Sequence, residues 1–405
     1  MKSIVIKIQS FPNVSETFVT QATVEAIKFG YEVQIITDKL KSLNNSSQQE
    51  LILKYNLLDK VIVFKNPKNR FKRRLDFACI CFNPIKLYYF IKYCKTRKKI
   101  SLDYLYYLKF YEQFKNTPVF HIHFATALQP ILYLKKIGFL KSKIIVTFHG
   151  YDAHYLLERT MLKEMVNDYK TYVNEITTNS QFLKNKLIDK GFHSDQITVV
   201  PIGIDTRFFN PGSESKIRNT NELFKLVSVA RLTPLKGQEF AIQALKILIT
   251  KKYKVHLTLV GAGQDENRLK KIVKDLELNE YVSFLGKKSQ SEIKIILSNH
   301  DLFLMTSTKD KDGRSEAFGV VSLEAQAMGL PIVGFNSGGV SETLIQDQTG
   351  YLVEDKNVEA FVNAIQTLYD DMALYKKMSA NAIYAVQKKF NIKIMAKQYQ
   401  MLYEK

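Results

Sequence analysis

Short β-branched runs alternate with amphipathic helical stretches along this chain of 405 residues, and the alternation runs through twice. The first series has strand patterns at 3–8, 32–37, 60–64, 119–123, 143–148, 174–178 and 197–200. Helical patterns fall between them at 16–29, 50–56, 86–110, 126–136, 160–169 and 180–189. The pattern restarts after Asn210-Pro211-Gly212-Ser213, a run that reads as a linker. Strands then recur at 224–229, 255–260, 281–284, 301–305, 331–334 and 351–353. Helices are expected at 237–250, 265–275, 289–297, 318–328, 338–346, 357–369, 371–388 and 391–403. Strands that alternate with helices build parallel sheets from right-handed βαβ units. The expected class is therefore α/β, with two facing Rossmann-like domains and a cleft between them. Ligands of such sheets bind at the carboxyl ends of the strands.

The charge narrows the partners. Lys and Arg number 59 against 39 Asp and Glu, a net charge of +20, which predicts attraction to something anionic. Residues 1–205 carry +14 of it, and the stretch 65–109 holds 13 basic residues against two acids, Asp76 and Asp103. Phe71, Phe77, Phe82, Tyr88, Tyr89, Phe90 and Tyr93 are interleaved there. Basic helices carrying aromatic side chains suit an anionic membrane surface; a solvated helix face with its aromatics in the core is the plainer alternative. No zinc-finger, RNP or recognition-helix pattern supports nucleic acid.

Three cysteines, Cys79, Cys81 and Cys94, make neither a disulfide framework nor a four-ligand zinc site. The opening residues lack the features of a signal peptide, and the apolar stretch Leu75–Cys94 is interrupted by Asp76, Asn83, Pro84, Lys86 and Lys92. A cytosolic protein is expected, touching a membrane from that side.

The chemistry concentrates in the second series. Glu316 and Glu324 lie eight apart in Ser315-Glu316-Ala317-Phe318-Gly319…Glu324, the first before a helix and the second about two turns inside it. A helix N-terminus offers free N–H groups to phosphate, while a carboxylate can accept hydrogen bonds from sugar hydroxyls. Gly319 permits close approach to the backbone. Arg231 and Lys236 follow strand 224–229, a place where two cations can converge on a diphosphate. Gly261-Ala262-Gly263 follows strand 255–260. A dinucleotide fingerprint would need a third glycine where Glu266 stands, and a Walker A pattern is missing as well.

Taken together these residues resemble the family-4 retaining glycosyltransferases of GT-B fold, which transfer sugars from nucleotide-sugar donors. The resemblance rests on Val199-Val200-Pro201-Ile202-Gly203-Ile204-Asp205, Arg231…Lys236-Gly237, Gly261-Ala262-Gly263, and Glu316 to Glu324 ending in Gly329-Leu330-Pro331. Ser337-Gly338-Gly339-Val340-Ser341-Glu342 fits as well. It implies an acceptor domain over 1–205 and a donor domain over 206–388, with a terminal helix at about 389–405 returning to the first. Arg231 and Lys236 would neutralise the donor diphosphate, Glu324 would bind the ribose, and Glu316 would contact the transferred sugar. The backbone of Ala317, Phe318 and Gly319 would cradle phosphate and sugar, with Gly261 and Gly263 at the donor and Lys287 bordering the base.

In the first half, Thr147-Phe148-His149-Gly150-Tyr151-Asp152 and His121-Ile122-His123-Phe124 resemble the family's histidine loops. His149 would reach the sugar near the reacting centre. Where many relatives have a Gly-Gly loop, this chain has Ser10-Phe11-Pro12-Asn13-Val14-Ser15-Glu16-Thr17-Phe18, whose form resembles the subgroup building bacterial exopolysaccharide and lipopolysaccharide. Ser15, Glu16, Thr17 and His123 are therefore expected to serve the acceptor or to gate.

The expected reaction moves a hexose, with retention, from a nucleotide sugar to a glycan acceptor that is lipid-linked. A UDP-sugar is the first choice of donor. Neither metal nor cofactor is expected, and Asp310-Lys311-Asp312 reads as loop chemistry. Two helical carboxylates eight apart would be separated by about 12 Å of rise, too far for the roughly 5–5.5 Å of a double displacement. Front-face transfer, with the leaving phosphate helping to deprotonate the acceptor, is the expectation. A soluble transferase acting on a small molecule or a protein, and a silent sugar-nucleotide-binding module, are the competing readings.

Overall fold

The computed structural model describes residues 2–13, 16–157, 162–212 and 222–405. The chain divides into two compact units. The first comprises Met1–Asn179, Leu183–Val200 and Gln398–Lys405, the second Ser180–Phe182 and Pro201–Lys397.

Among the described residues, the first unit holds a seven-stranded sheet. Its strands are β1 (Ser3–Phe11), β2 (Glu32–Leu40), β3 (Val61–Val63), β4 (Val119–His123), β5 (Lys143–Phe148), β6 (Glu175–Thr178) and β7 (Ile197–Val199), in the order β3-β2-β1-β4-β5-β6-β7. All neighbours run parallel; Ile6, for example, faces Ile35 on β2 and His121 on β4. Central parallel strands are covered on both faces. β1 accordingly buries five consecutive residues, Ile4 to Ile8, and does not alternate. Lys7 is among them, its ammonium 2.6 Å from Asp38. Burial lowers its pKa, and the Asp38 carboxylate works against that shift. The core packs Phe120, Ile122, Ile144 and Val146 of the sheet with Leu105, Tyr111, Phe114 and Ile131.

The second unit repeats the plan with β8 (Phe224–Val229), β9 (Val255–Val260), β10 (Val282–Phe284), β11 (Leu302–Met305), β12 (Ile332–Phe335) and β13 (Gly350–Val353). Their order is β10-β9-β8-β11-β12-β13, again all parallel. In each sheet the chain builds outward from its first strand and then crosses to the other side, so the order reverses at β1/β4 and at β8/β11. The carboxyl ends at such a reversal leave a crevice in which ligands of doubly wound sheets bind.

Several helices differ from expectation. The stretch 86–110 is not one helix. Pro84–Arg97 ends where Lys98 turns left-handed (φ 51°), and Asp103–Tyr111 begins afresh. A further helix, Arg70–Cys81, precedes them; Asn69 and Asn83 cap the first two by accepting the Lys72 and Lys86 amides. The helix expected from 126 starts only at Ile131, because Pro130 stands at its N-cap and restricts the residue before it. Helix 160–169 is found as Leu162–Tyr172, behind a helix at Tyr151–Leu157 that the pattern did not show; residues 160 and 161 lie outside the described residues. The stretch 338–346 forms only a 3-10 turn, Gly338–Glu342.

The final helix, Ile392–Glu404, delivers its end to the first unit. There Tyr403 Oη lies 2.7 Å from His121 Nδ1, Lys143 Nζ donates to the Leu402 carbonyl at 2.6 Å, and Lys2 pairs with Glu404 at 2.7 Å.

Candidate active site

In the second unit, the loop leaving β8 is zipped to the turn leaving β9. The Ala230 amide donates to Val260 O (3.0 Å), Leu232 to Ala262 O (3.1 Å), and Asp265 to Leu232 O (3.1 Å). The approach is so close that a Cβ on Gly261 would stand 1.9 Å from the Ala230 carbonyl oxygen. One on Gly263 would stand 2.1 Å from that of Leu232. Both glycines therefore hold the loop that carries Arg231, whose carbonyl accepts from Gln238 Nε2 at 3.0 Å. Lys236 ends the 3-10 turn Pro234–Lys236, and its carbonyl accepts from Thr306 Oγ1, at the end of β11, at 2.9 Å.

Lys236 Nζ thereby meets the carboxylate of Glu316, which also accepts from Ser307 Oγ at 3.1 Å. The two charged side chains are 14% and 15% exposed. Burial pushes the Glu316 carboxyl up. The Lys236 ammonium, hydrogen bonds from Lys236 and Ser307, and the Arg231 charge outweigh it and hold the group below the ordinary carboxylate range. Glu316 is thus an anion paired with one cation in the field of a second. A surplus of positive charge at the β8/β11 reversal is what a diphosphate would require.

Glu316 lies in the loop before the helix Val320–Ala327, so the helical-rise argument about its distance from Glu324 does not apply. Glu324 is the fifth residue of that helix, little more than one turn in. It is buried, and burial pushes its carboxyl up to about 7, with a hydrogen bond from Gln290 Nε2 (3.3 Å) opposing the shift. Gly319 takes φ 99° at the helix N-cap, and its carbonyl accepts from Ser322 N and Oγ at 3.0 and 2.8 Å. Phe318 is buried, and the Ala317 carbonyl accepts from Ser180 Oγ at 2.7 Å. Lys287 is exposed beyond β10, next to Gly286, whose carbonyl accepts from the Gly261 amide at 2.9 Å. Asp310 and Asp312 are both held by Arg314, at 2.8 and 3.2 Å, within one loop.

The β1/β4 reversal of the first unit gathers the histidines. His149 Nε2 lies 3.1 Å from His123 Nδ1, and His121 Nε2 lies 2.7 Å from Thr147 Oγ1. Burial drives His123 down to about 3 and the other two well below the usual imidazole range, so all three are neutral. Among the described residues, neither His123 Nε2 nor His149 Nδ1 has a hydrogen-bond partner. Phe18 stacks on His149 with ring centroids 4.4 Å apart, which joins the segment after β1 to the histidine loop. Glu16 is the N-cap residue of the helix Thr17–Lys28, and burial pushes its carboxyl up. Ser15 lies outside the described residues.

Four side chains were not foreseen. Ser307 and Gln290 contact the two glutamates, and Phe18 covers His149. Asp152 is fully buried and accepts from the amides of Ala125, His149 and Gly150 at 2.8, 2.9 and 3.0 Å. Only Asp152 left a local signal, an acceptor three residues after His149 at a loop-to-helix junction.

Among the described residues, no group of three or more His, Cys, Asp or Glu side chains could hold a metal ion, and no helix is long and apolar enough to cross a membrane. The Glycosyltransferase Family 4 model matches residues 15–208, and the Glycosyl transferases group 1 model matches residues 213–384. The amylovoran biosynthesis glycosyltransferase AmsK of Erwinia amylovora is 28% identical over 98% of this chain and 97% of its own length. A GDP-mannose-dependent monoacylated α-(1-6)-phosphatidylinositol monomannoside mannosyltransferase of Corynebacterium glutamicum is 28% identical over 63% of this chain and 68% of its own. Among solved structures, HepE of Anabaena in complex with UDP and glucose superposes with a TM-score of 0.74 at 20% identity, covering 100% of this chain and 99% of that one. Two doubly wound parallel sheets, a cationic centre at the second reversal and these matches across both halves lead to one conclusion: the chain belongs to the GT-B-fold glycosyltransferases, with a Family 4 domain followed by a group 1 domain.

Proposed function

We propose that the protein transfers a hexosyl group, with retention and without a metal, from a nucleotide sugar to a lipid-linked glycan acceptor during assembly of a bacterial surface polysaccharide. The observation that carries the donor half is the buried Lys236–Glu316 pair beside Arg231 at the β8/β11 reversal. In this reading Lys236 and Arg231 stabilise the leaving diphosphate as charge develops on it, and Glu316 accepts a hydrogen bond from a hydroxyl of the transferred sugar. One such preorganised donor contributes about 3–4 kcal/mol to lowering a barrier. Glu316 is engaged by Lys236 and Ser307 and is a poor nucleophile, which favours front-face transfer over a covalent intermediate. Glu324 receives the ribose hydroxyls, and His149 acts on the transferred sugar near the reacting centre.

The polysaccharide assignment is supported by the amylovoran enzyme, which is similar over almost the whole chain. A UDP-sugar is the proposed donor; the relatives include a GDP-mannose enzyme, so the base is tested directly. The protein works at the inner face of the cytoplasmic membrane, with residues 65–109 toward anionic lipid.

The test is a thermal-shift panel of UDP, GDP, ADP and their common sugars, with and without chelator. A selective rise with UDP species that survives chelation and is lost in Lys236→Ala supports the reading. A rise confined to GDP species changes the donor and keeps the site. No response to any nucleotide overturns the donor site.

A further inference from the structure

The helices Arg70–Cys81 and Pro84–Arg97 turn apolar side chains outward. On the first, Phe71, Leu75, Ala78 and Phe82 recur at three- and four-residue spacing on one face, the face opposite buried Ile80. Phe71 is 72% exposed and Phe82 89%. On the second, Ile85 (65% exposed), Tyr88 and Ile91 share the solvent face with Lys92 and Lys95, while Phe90, Tyr93 and Cys94 fill the core. A helix of a water-soluble face would carry its charges there instead.

The charges that flank this stripe are of one sign. Lys72 and Arg74 border Phe71 and Leu75, and exposed Lys98 and Lys99 follow Lys95. Both acids of the stretch are engaged within the unit. Asp76 accepts from Tyr106 Oη at 2.7 Å, and Asp103 accepts from Asn66 and Arg73. Arg73 is thereby taken out of the basic surface that the sequence suggested.

We infer that these two helices form a membrane-docking face for an anionic phospholipid bilayer. Phe71, Leu75, Phe82 and Ile85 enter the headgroup–acyl boundary, and Lys72, Arg74, Lys92 and Lys95 rest on the phosphates. An exposed apolar row fits the interface of a bilayer, and the one-signed rim selects anionic lipid. The inference deepens the lipid-linked-acceptor reading above, and its test is independent of donor binding.

The chain contains no tryptophan, so Phe82→Trp supplies a reporter without background. Its emission should shift to the blue with vesicles of phosphatidylcholine and phosphatidylglycerol and stay unshifted with phosphatidylcholine alone. In co-sedimentation, Phe82→Ser with Ile85→Ser should cut binding to the mixed vesicles at least about tenfold. Lys92→Glu with Lys95→Glu should cut it about fivefold per charge removed at low salt. Phe82, Ile85 and Lys95 are exposed and Lys92 is half-buried, and unchanged urea melts and nucleotide shifts establish that the fold and donor site persist. Failure of the native chain to sediment with mixed vesicles, or full binding by the Phe82→Ser/Ile85→Ser chain, overturns the inference. So does a dimer in solution that this double substitution dissociates, which would assign the face to a second copy.

Discussion

Replacing Lys236 by Met keeps much of the side chain's bulk and removes its charge. Glu316 is then left as a buried carboxylate that has lost its paired cation and keeps the Ser307 hydrogen bond at 3.1 Å and the field of Arg231. Breaking a buried pair in this way costs about 3–5 kcal/mol. The cost depends on pH with a definite sign. In the native chain the Glu316 pKa is held below the ordinary 4.5, so its stabilisation is present above 4.5 and is lost as pH falls through the folded value. Without Lys236 the burial contribution prevails and the folded pKa rises above 4.5. The deficit of the variant should therefore grow as pH rises from about 4.5 toward 8 and shrink on acidification. Urea melts of both chains across that range measure it. Adding Glu316→Gln to Lys236→Met should restore most of the loss at neutral pH, since the stranded charge is gone. A pH-independent deficit, or a double variant weaker than the single one by the full Glu316→Gln cost, would refute the coupling.

Further outcomes follow from other contacts. Glu324, raised to about 7 by burial, contributes stability below 4.5 that is lost as pH rises through about 7; Glu324→Gln should thus be more stable than the native chain above pH 7, by about 3 kcal/mol at most. If Glu324 binds the ribose as a carboxylate, the same variant should also flatten the rise of nucleotide affinity through about pH 7, read by calorimetry. Gly263→Ala puts a methyl group against the Leu232 carbonyl; the displaced loop should cost about 2 kcal/mol or more and weaken nucleotide binding with it, whereas normal affinity would show that the loop does not serve the donor. Asp152→Ala leaves the amides of Ala125, His149 and Gly150 unpaired, at about 1–3 kcal/mol for each that stays dry; Asp152→Asn, which keeps an acceptor oxygen, should recover part of that in a urea melt.

The positions of the strands were legible because each buried parallel strand is a β-branched run with its own boundaries, as at Val119–His123 and Lys143–Phe148. The helices of 65–111 were harder. Their 3.6-residue periodicity continues across Lys98, and only a positive φ at a residue with no special preference for it marks the break. The Asn83-Pro84 start was readable in hindsight, since an asparagine cap before a proline at N1 is a strong opening signal. At the site, the separate loops could be nominated from strand ends. The pairing of Lys236 with Glu316, 80 residues on, depends on β8 and β11 being neighbours and has no local trace. Ser307 and Gln290 are legible only once that adjacency is known. Lys7, buried in β1, and Phe71 and Phe82, turned outward, show that burial follows the neighbours an element acquires and not the polarity of its residues.

The last eight residues, Gln398–Lys405, belong to the first unit. On the ribosome, all other parts of that unit emerge some two hundred residues earlier. Until Tyr403 and Leu402 leave the exit tunnel, His121 lacks its tyrosine and Lys143 its carbonyl. Domains of a nascent chain ordinarily fold in order of synthesis; here the half made first is finished last. A ribosome that stalls after the second sheet is complete would release a chain whose later half is whole and whose earlier half is still open.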